Sequence, residues 1–194
     1  QKAKKPTRQK AANTEATLVE RLLGGEPVAL ARAITAVENQ TERAAEIMAA
    51  IHPHLGTASV IGFTGPPGAG KSTLINTFVE ELRRRDKSVG IVAVDPSSPI
   101  TGGAILGDRI RMSTHTFDPG VFVRSLASRG HLGGLSRTAA HVIDVMDAAG
   151  RDIVVIETVG AGQSEVEIAE IAHTKVVVCA PGLGDDIQAI KAGI

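Results

Sequence analysis

Apolar residues repeat along the chain in two different rhythms, and the change between them falls near Ser59. Before it, Leu18, Val19, Leu22 and Leu23 form a short helical stripe that Gly24 and Gly25 terminate. Pro27 suits the first turn of a second helix, whose core-facing positions are Leu30, Ala33, Ile34 and Val37. A third helix is expected from Thr41 to Ile51, ending before the His52-Pro53-His54 break. Residues 15–56 thus read as a helical unit too small to support its own core, and it is expected to pack against residues C-terminal to it.

After Ser59 the apolar positions fall in short, nearly continuous runs: Val60 to Thr64, Ser88 to Val94, Ile153 to Glu157 and Lys175 to Ala180. Strands covered on both faces have this pattern. Helical spacing separates them at Lys71 to Arg84, Val121 to Ser128, Leu135 to Ala148 and Glu165 to His173. In the first of these, Leu74, Ile75, Phe78, Val79 and Leu82 are expected to face the core. Alternating strand and helix over residues 57–194 predicts an α/β domain with a mostly parallel sheet flanked by helices.

The first strand-to-helix turn carries Gly65-Pro66-Pro67-Gly68-Ala69-Gly70-Lys71-Ser72, followed by Thr73, a complete GxxxxGK[ST] pattern in the context it requires. Glycines let the backbone wrap phosphate oxygens, and the helix start supplies N–H groups without intrahelical partners. Lys71 is expected to reach the β and γ phosphates of a nucleotide, and Ser72 to take one magnesium position. Magnesium keeps several waters and needs only a few carboxylates. Asp95, Asp108 and Glu157 stand at or just beyond the carboxyl ends of expected strands, where open sheets bind ligands. The Gly160 N–H would sense the γ phosphate.

Weaker candidates surround this core set. Gln163 could orient a water, and Arg109, Arg111, Arg124 and Arg129 could neutralise phosphoryl charge, although exposed or ion-paired arginines are commoner. His52 and His54 read as a turn, His131 as part of a glycine-rich turn, and Cys179 as a small buried residue in an apolar strand.

Charge and composition narrow the functions further. Lys plus Arg and Asp plus Glu both number 21, so nothing draws the whole chain to nucleic acid or acidic lipid. Five basic residues and no acid lie in the first ten positions, which makes residues 1–14 a basic tail. One cysteine and no apolar run of about 18 residues fit a reducing, cytoplasmic setting without membrane spans. Phe is present four times and Trp and Tyr are absent, which disfavours base stacking as a binding device.

Further segments join the phosphate loop in a wider pattern: Val94-Asp95-Pro96-Ser97-Ser98-Pro99, Thr101-Gly102-Gly103-Ala104-Ile105-Leu106-Gly107-Asp108-Arg109, Ser128-Arg129-Gly130-His131-Leu132-Gly133-Gly134, Glu157-Thr158-Val159-Gly160-Ala161-Gly162-Gln163-Ser164-Glu165 and Pro181-Gly182-Leu183-Gly184-Asp185-Asp186. From about residue 18 to residue 194 the chain resembles the MeaB/ArgK family, G-protein chaperones of methylmalonyl-CoA mutase. The resemblance implies magnesium-dependent GTP hydrolysis to GDP and phosphate, a homodimer, and coupling to the adenosylcobalamin-dependent mutase during cofactor loading and protection. It also implies that Asp95 and Asp108 belong to a first switch region, that Glu157 begins a second, and that Asp185, Asp186 and Lys191 relay partner binding.

Family members carry further strands, an NKxD guanine-selecting motif and dimerising C-terminal helices. None of these is found up to Ile194, so the sheet is expected to stop before its last strands. Two other functions fit a phosphate loop: a nucleotide-dependent binding module without turnover, and a small-molecule kinase of the amino-acid transport type.

Overall fold

The computed structural model describes residues 18–66, 68–96, 115, 117–128, 134–158 and 170–179. The basic tail and the segments carrying Pro67, Asp108, Arg109, Arg111, Arg129, His131, Gly160, Gln163, Asp185, Asp186 and Lys191 lie outside them. Residues 18–23 are helical (α1). Then come α2 (Pro27–Glu38), α3 (Glu42–Ile51) and a short turn of helix at His52–His54. The α/β part consists of β1 (Ser59–Thr64), α4 (Lys71–Arg84), β2 (Val89–Pro96), β3 (Val121–Ser128), α5 (Gly134–Ala148), β4 (Ile153–Thr158) and β5 (Thr174–Val177).

The strands form one sheet in the order β3-β2-β4-β1-β5. Every described pairing is parallel. Alternation along the strands divides the core in two, as the period of two demands. Val60, Val92, Val94, Leu126, Val154 and Ile156 face α2, α3 and α5, whereas Phe63, Val89, Ile91 and Val155 face α4 through Ile75 and Val79. The helical unit therefore has no core of its own: Leu30, Ile34, Val37, Ile47 and Ile51 pack in one cluster with Val142 and Met146 of α5. Each such side chain removed from water contributes about 1.5–3 kcal/mol.

Three expectations are corrected. Residues 121–128 form a strand, not a helix, paired with β2 at eight register positions. The β-branched and aromatic opening Val121-Phe122-Val123 favours a pleated surface over a helix. Leu74 is 43% exposed, because it lies about 100° round α4 from buried Ile75, off the stripe that Val79 continues. Cys179 is exposed and lies just beyond the last residue of β5. That strand is the outer one on its side of the described sheet, so β1 alone pairs with it, on one edge.

The joint between helical unit and sheet is held by a buried carboxylate. Asp147 accepts hydrogen bonds from the backbone N–H groups of Gly56 (2.5 Å), Thr57 (3.2 Å) and Ala58 (2.9 Å) and from the Thr57 hydroxyl (2.7 Å). Burial pushes this carboxyl up, but the bonds, that from the Thr57 hydroxyl foremost, outweigh burial and hold it below its ordinary value. A depressed native pKa stabilises the fold above the unfolded value of 3.8, and that contribution is lost as pH falls through the lower native value. Asp147→Ala is accordingly expected to cost about 3 kcal/mol at neutral pH, since it strands a buried donor at Ala58. Denaturant titrations of both proteins check this, and their midpoints should begin to draw together as pH falls below the unfolded value of 3.8 and continue to do so through the lower native value.

Among the described residues no helix is long and apolar enough to cross a membrane.

Candidate functional site

Register sets the geometry of the candidate site. Glu157 on β4 stands opposite Phe63 on β1 and Ala93 on β2. The glycine loop leaves β1 at Gly65, two residues beyond that rung, and α4 begins at Lys71. The Asp95 backbone lies in the last two residues of β2, two beyond Ala93, paired with Ala127 of β3. Gly65, Glu157 and the Asp95 main chain therefore gather at the carboxyl edge of neighbouring strands, as the alternation of strands and helices predicts.

The loop needs its glycines for two different reasons. Gly65 has φ 144°, and a Cβ there would lie 2.2 Å from the carbonyl oxygen of Val178, just past β5. Gly68 and Gly70 have φ 79° and 91°, yet a Cβ on either would meet nothing within 4 Å. The first glycine serves packing, whereas the other two serve loop shape and leave the concave side open. Gly65→Ala is expected to destabilise by about 1–3 kcal/mol, through collision with backbone that cannot move aside cheaply. A thermal melt checks this, with Gly68→Ala expected to cost less.

Gly70, in a left-handed conformation, caps α4 without any side-chain hydrogen bond. The first turn of α4 contains no acid, and its last turn contains Arg83 and Arg84. The partial positive charge at the helix start is thus left for something else. Lys71 is buried, 7% exposed, and its Nζ donates to the carbonyls of Gly65 (2.5 Å) and Pro66 (3.1 Å). Those bonds hold the ammonium across the loop mouth. Thr64, 3% exposed, carries a buried hydroxyl that finds no hydrogen-bond partner among the described residues.

Ser72 Oγ donates to Glu157 Oε1 at 2.6 Å, across 85 residues of chain. Glu157 is 1% exposed and brings a carboxylate to a site bordered by Phe63, Ala93 and the loop. With its proton directed at Glu157, the Ser72 oxygen keeps lone pairs for a cation. A hydroxyl and a carboxylate side by side are hard oxygen donors that suit magnesium, and the open cradle suits the phosphates it accompanies.

The structure thus brings Gly65, Pro66, Gly68, Ala69, Gly70, Lys71, Ser72, Thr73 and Glu157 together. Asp95 is described there as backbone alone, and Pro67, Asp108 and Gly160 fall outside the described residues. Arg124 is committed elsewhere: its guanidinium pairs with Glu38 and ties β3 to α2. Nothing in the sequence names this partner, and only the placement of residues 121–128 as a strand beside α2 reveals it. His52 and His54 form the helical turn expected of them.

The family model described as "Methylmalonyl Co-A mutase-associated GTPase MeaB" matches residues 30–194. A protein of Pyrococcus abyssi is 55% identical over 177 residues, covering 91% of this chain and 55% of that protein. GTPase ArgK of Escherichia coli is 44% identical over 187 residues, 93% of this chain and 56% of its own length. The crystal structure of a LAO/AO transport system kinase superposes with a TM-score of 0.68 at 32% identity, covering 90% of this chain and 51% of that one. The chain therefore spans about half the length of these relatives.

Proposed function

The chain belongs to the MeaB/ArgK family of P-loop GTPases, and on that premise we propose that the protein binds magnesium and GTP, hydrolyses GTP to GDP and phosphate, and couples this to methylmalonyl-CoA mutase. The mutase is adenosylcobalamin-dependent, and the coupled event is the loading and protection of that cofactor. What supports this most is the contact of Ser72 with Glu157 beside a helix start that carries no side-chain cap.

In this mechanism the loop amides and the start of α4 receive the phosphates, and Lys71 leaves the Gly65 and Pro66 carbonyls to reach the β and γ phosphates. Magnesium, when bound, would neutralise charge on the phosphoryl oxygens. Ser72, Glu157, Asp95 and Asp108 are the residues to hold it, directly or through water. Water is the acceptor. Gly160 takes the γ phosphate on its N–H, so that loss of the phosphate releases the segment that Glu157 begins. Asp185, Asp186 and Lys191 relay contact with the mutase, and the whole protein works as a homodimer.

Turnover of γ-labelled GTP, with and without mutase, tests this. Label released as inorganic phosphate, faster with the mutase, is the expected result. Label on a small metabolite would favour the kinase, and binding without hydrolysis even beside the mutase would favour the binding module.

A further inference from the structure

At the opposite edge of the sheet, where strands begin, lies a cavity of about 340 Å³. It is lined by Arg151, which precedes β4, by His115 and Asp118, and by the apolar faces of Pro27, Val121 and Phe122. α4, whose start belongs to the phosphate loop, runs 14 residues before Arg83 and Arg84 end it, roughly 20 Å away. This pocket is separate from the nucleotide site.

Its polar groups are unusual. Arg151 is 6% exposed and makes no ion pair among the described residues, and its Nε finds no hydrogen-bond partner. His115 is 5% exposed, and its Nε2 is likewise without one among the described residues. The acid in the lining is hydrogen-bonded elsewhere: Asp118 accepts from Arg83 Nε at 2.9 Å and from the Gly120 N–H at 2.8 Å, and it meets His115 through charge alone, with no hydrogen bond between the two side chains among the described residues. Burial, and then the charge of Arg83, both oppose the cation on Arg151. A buried guanidinium without a counter-charge costs stability that an anion would restore, and its planar fork matches a carboxylate. Phe117, 94% exposed, adds an aromatic ring to the lining.

We propose that this pocket binds a small organic acid, with its carboxylate on Arg151 and His115 Nε2 and its apolar body against Phe122 and Phe117. The volume is at the lower end of that of small-molecule sites, which suits a compact acid.

Phenylacetate is a suitable probe, with benzyl alcohol as the body without the charge and inorganic phosphate as charge without the body. Titration calorimetry on the full chain should show saturable phenylacetate binding at one site, unaffected by bound GDP. Arg151→Met should weaken it at least about tenfold, and Arg151→Lys less. Melting of the Arg151→Met protein at or above the wild-type temperature would show that the loss is not unfolding, since a buried charge has been removed. A melting point well below wild type makes Arg151 structural and overturns the proposal. So does phenylacetate binding that is absent, unchanged in Arg151→Met, or matched by benzyl alcohol. Phosphate binding as tight as phenylacetate overturns the assignment of an apolar body.

Discussion

Lys71→Ala is expected to lower GTP turnover on the order of 10²–10³-fold, the effect of removing one preorganised donor to developing charge. The structure explains why so large a loss should come without unfolding. Lys71 Nζ donates to Gly65 and Pro66, carbonyls of the loop itself, and α4 is anchored separately by Ile75 and Val79. Loss of those two charge-assisted hydrogen bonds, offset by removal of a buried charge, should lower stability by only about 1–3 kcal/mol. Steady-state release of phosphate, with a thermal melt as control, checks both parts. Turnover retained in a preparation free of contaminating hydrolases would contradict the role given to Lys71.

Glu157→Gln should reduce magnesium-supported activity by about 10–100-fold, as is usual when a group supporting a metal is altered. The substitution is nearly isosteric and leaves an amide oxygen able to accept from Ser72 Oγ, so it removes charge but not shape. Glu157 is 1% exposed, and exchanging a buried carboxylate for a neutral amide should not lower the melting temperature. The readout is the magnesium dependence of GDP affinity. If Glu157 serves only to position Ser72, the amide does so too and the magnesium dependence stays; if it serves the cation, the magnesium dependence is lost while the melting temperature holds.

Much of this fold is legible in one dimension because each strand and its helix repeat their own period. Helix α4 runs from Lys71 to Arg84 as its apolar spacing predicts, and the cores of β1, β2 and β4 fall on their continuous apolar runs. Residues 121–128 mislead because the run is eight residues long, and period alone does not separate a short strand from a short helix. Pairing with β2 decides it, and pairing is not local. Leu74 and Cys179 show a related limit: being apolar says nothing of which face or edge a residue occupies.

The candidate site is legible where chemistry is carried by a contiguous motif, hence the loop, Lys71 and Ser72. Glu157 is readable as a strand-end acid, but its partner is fixed by register, which places it opposite Phe63 and Ala93. Asp147 and Arg151 carry no motif. The importance of Asp147 comes from three successive amides 89 to 91 residues away, and that of Arg151 from a buried Nε with no hydrogen-bond partner among the described residues.

Titration calorimetry of GTP and GDP into the full chain, with magnesium present and then chelated, tests the central claim most directly. One nucleotide should bind per chain, markedly tighter with magnesium, and Ser72→Ala should abolish that difference. Binding indifferent to magnesium and to Ser72, or no uptake of either nucleotide by folded protein, would contradict a phosphate site built from the Gly65 loop, Ser72 and Glu157.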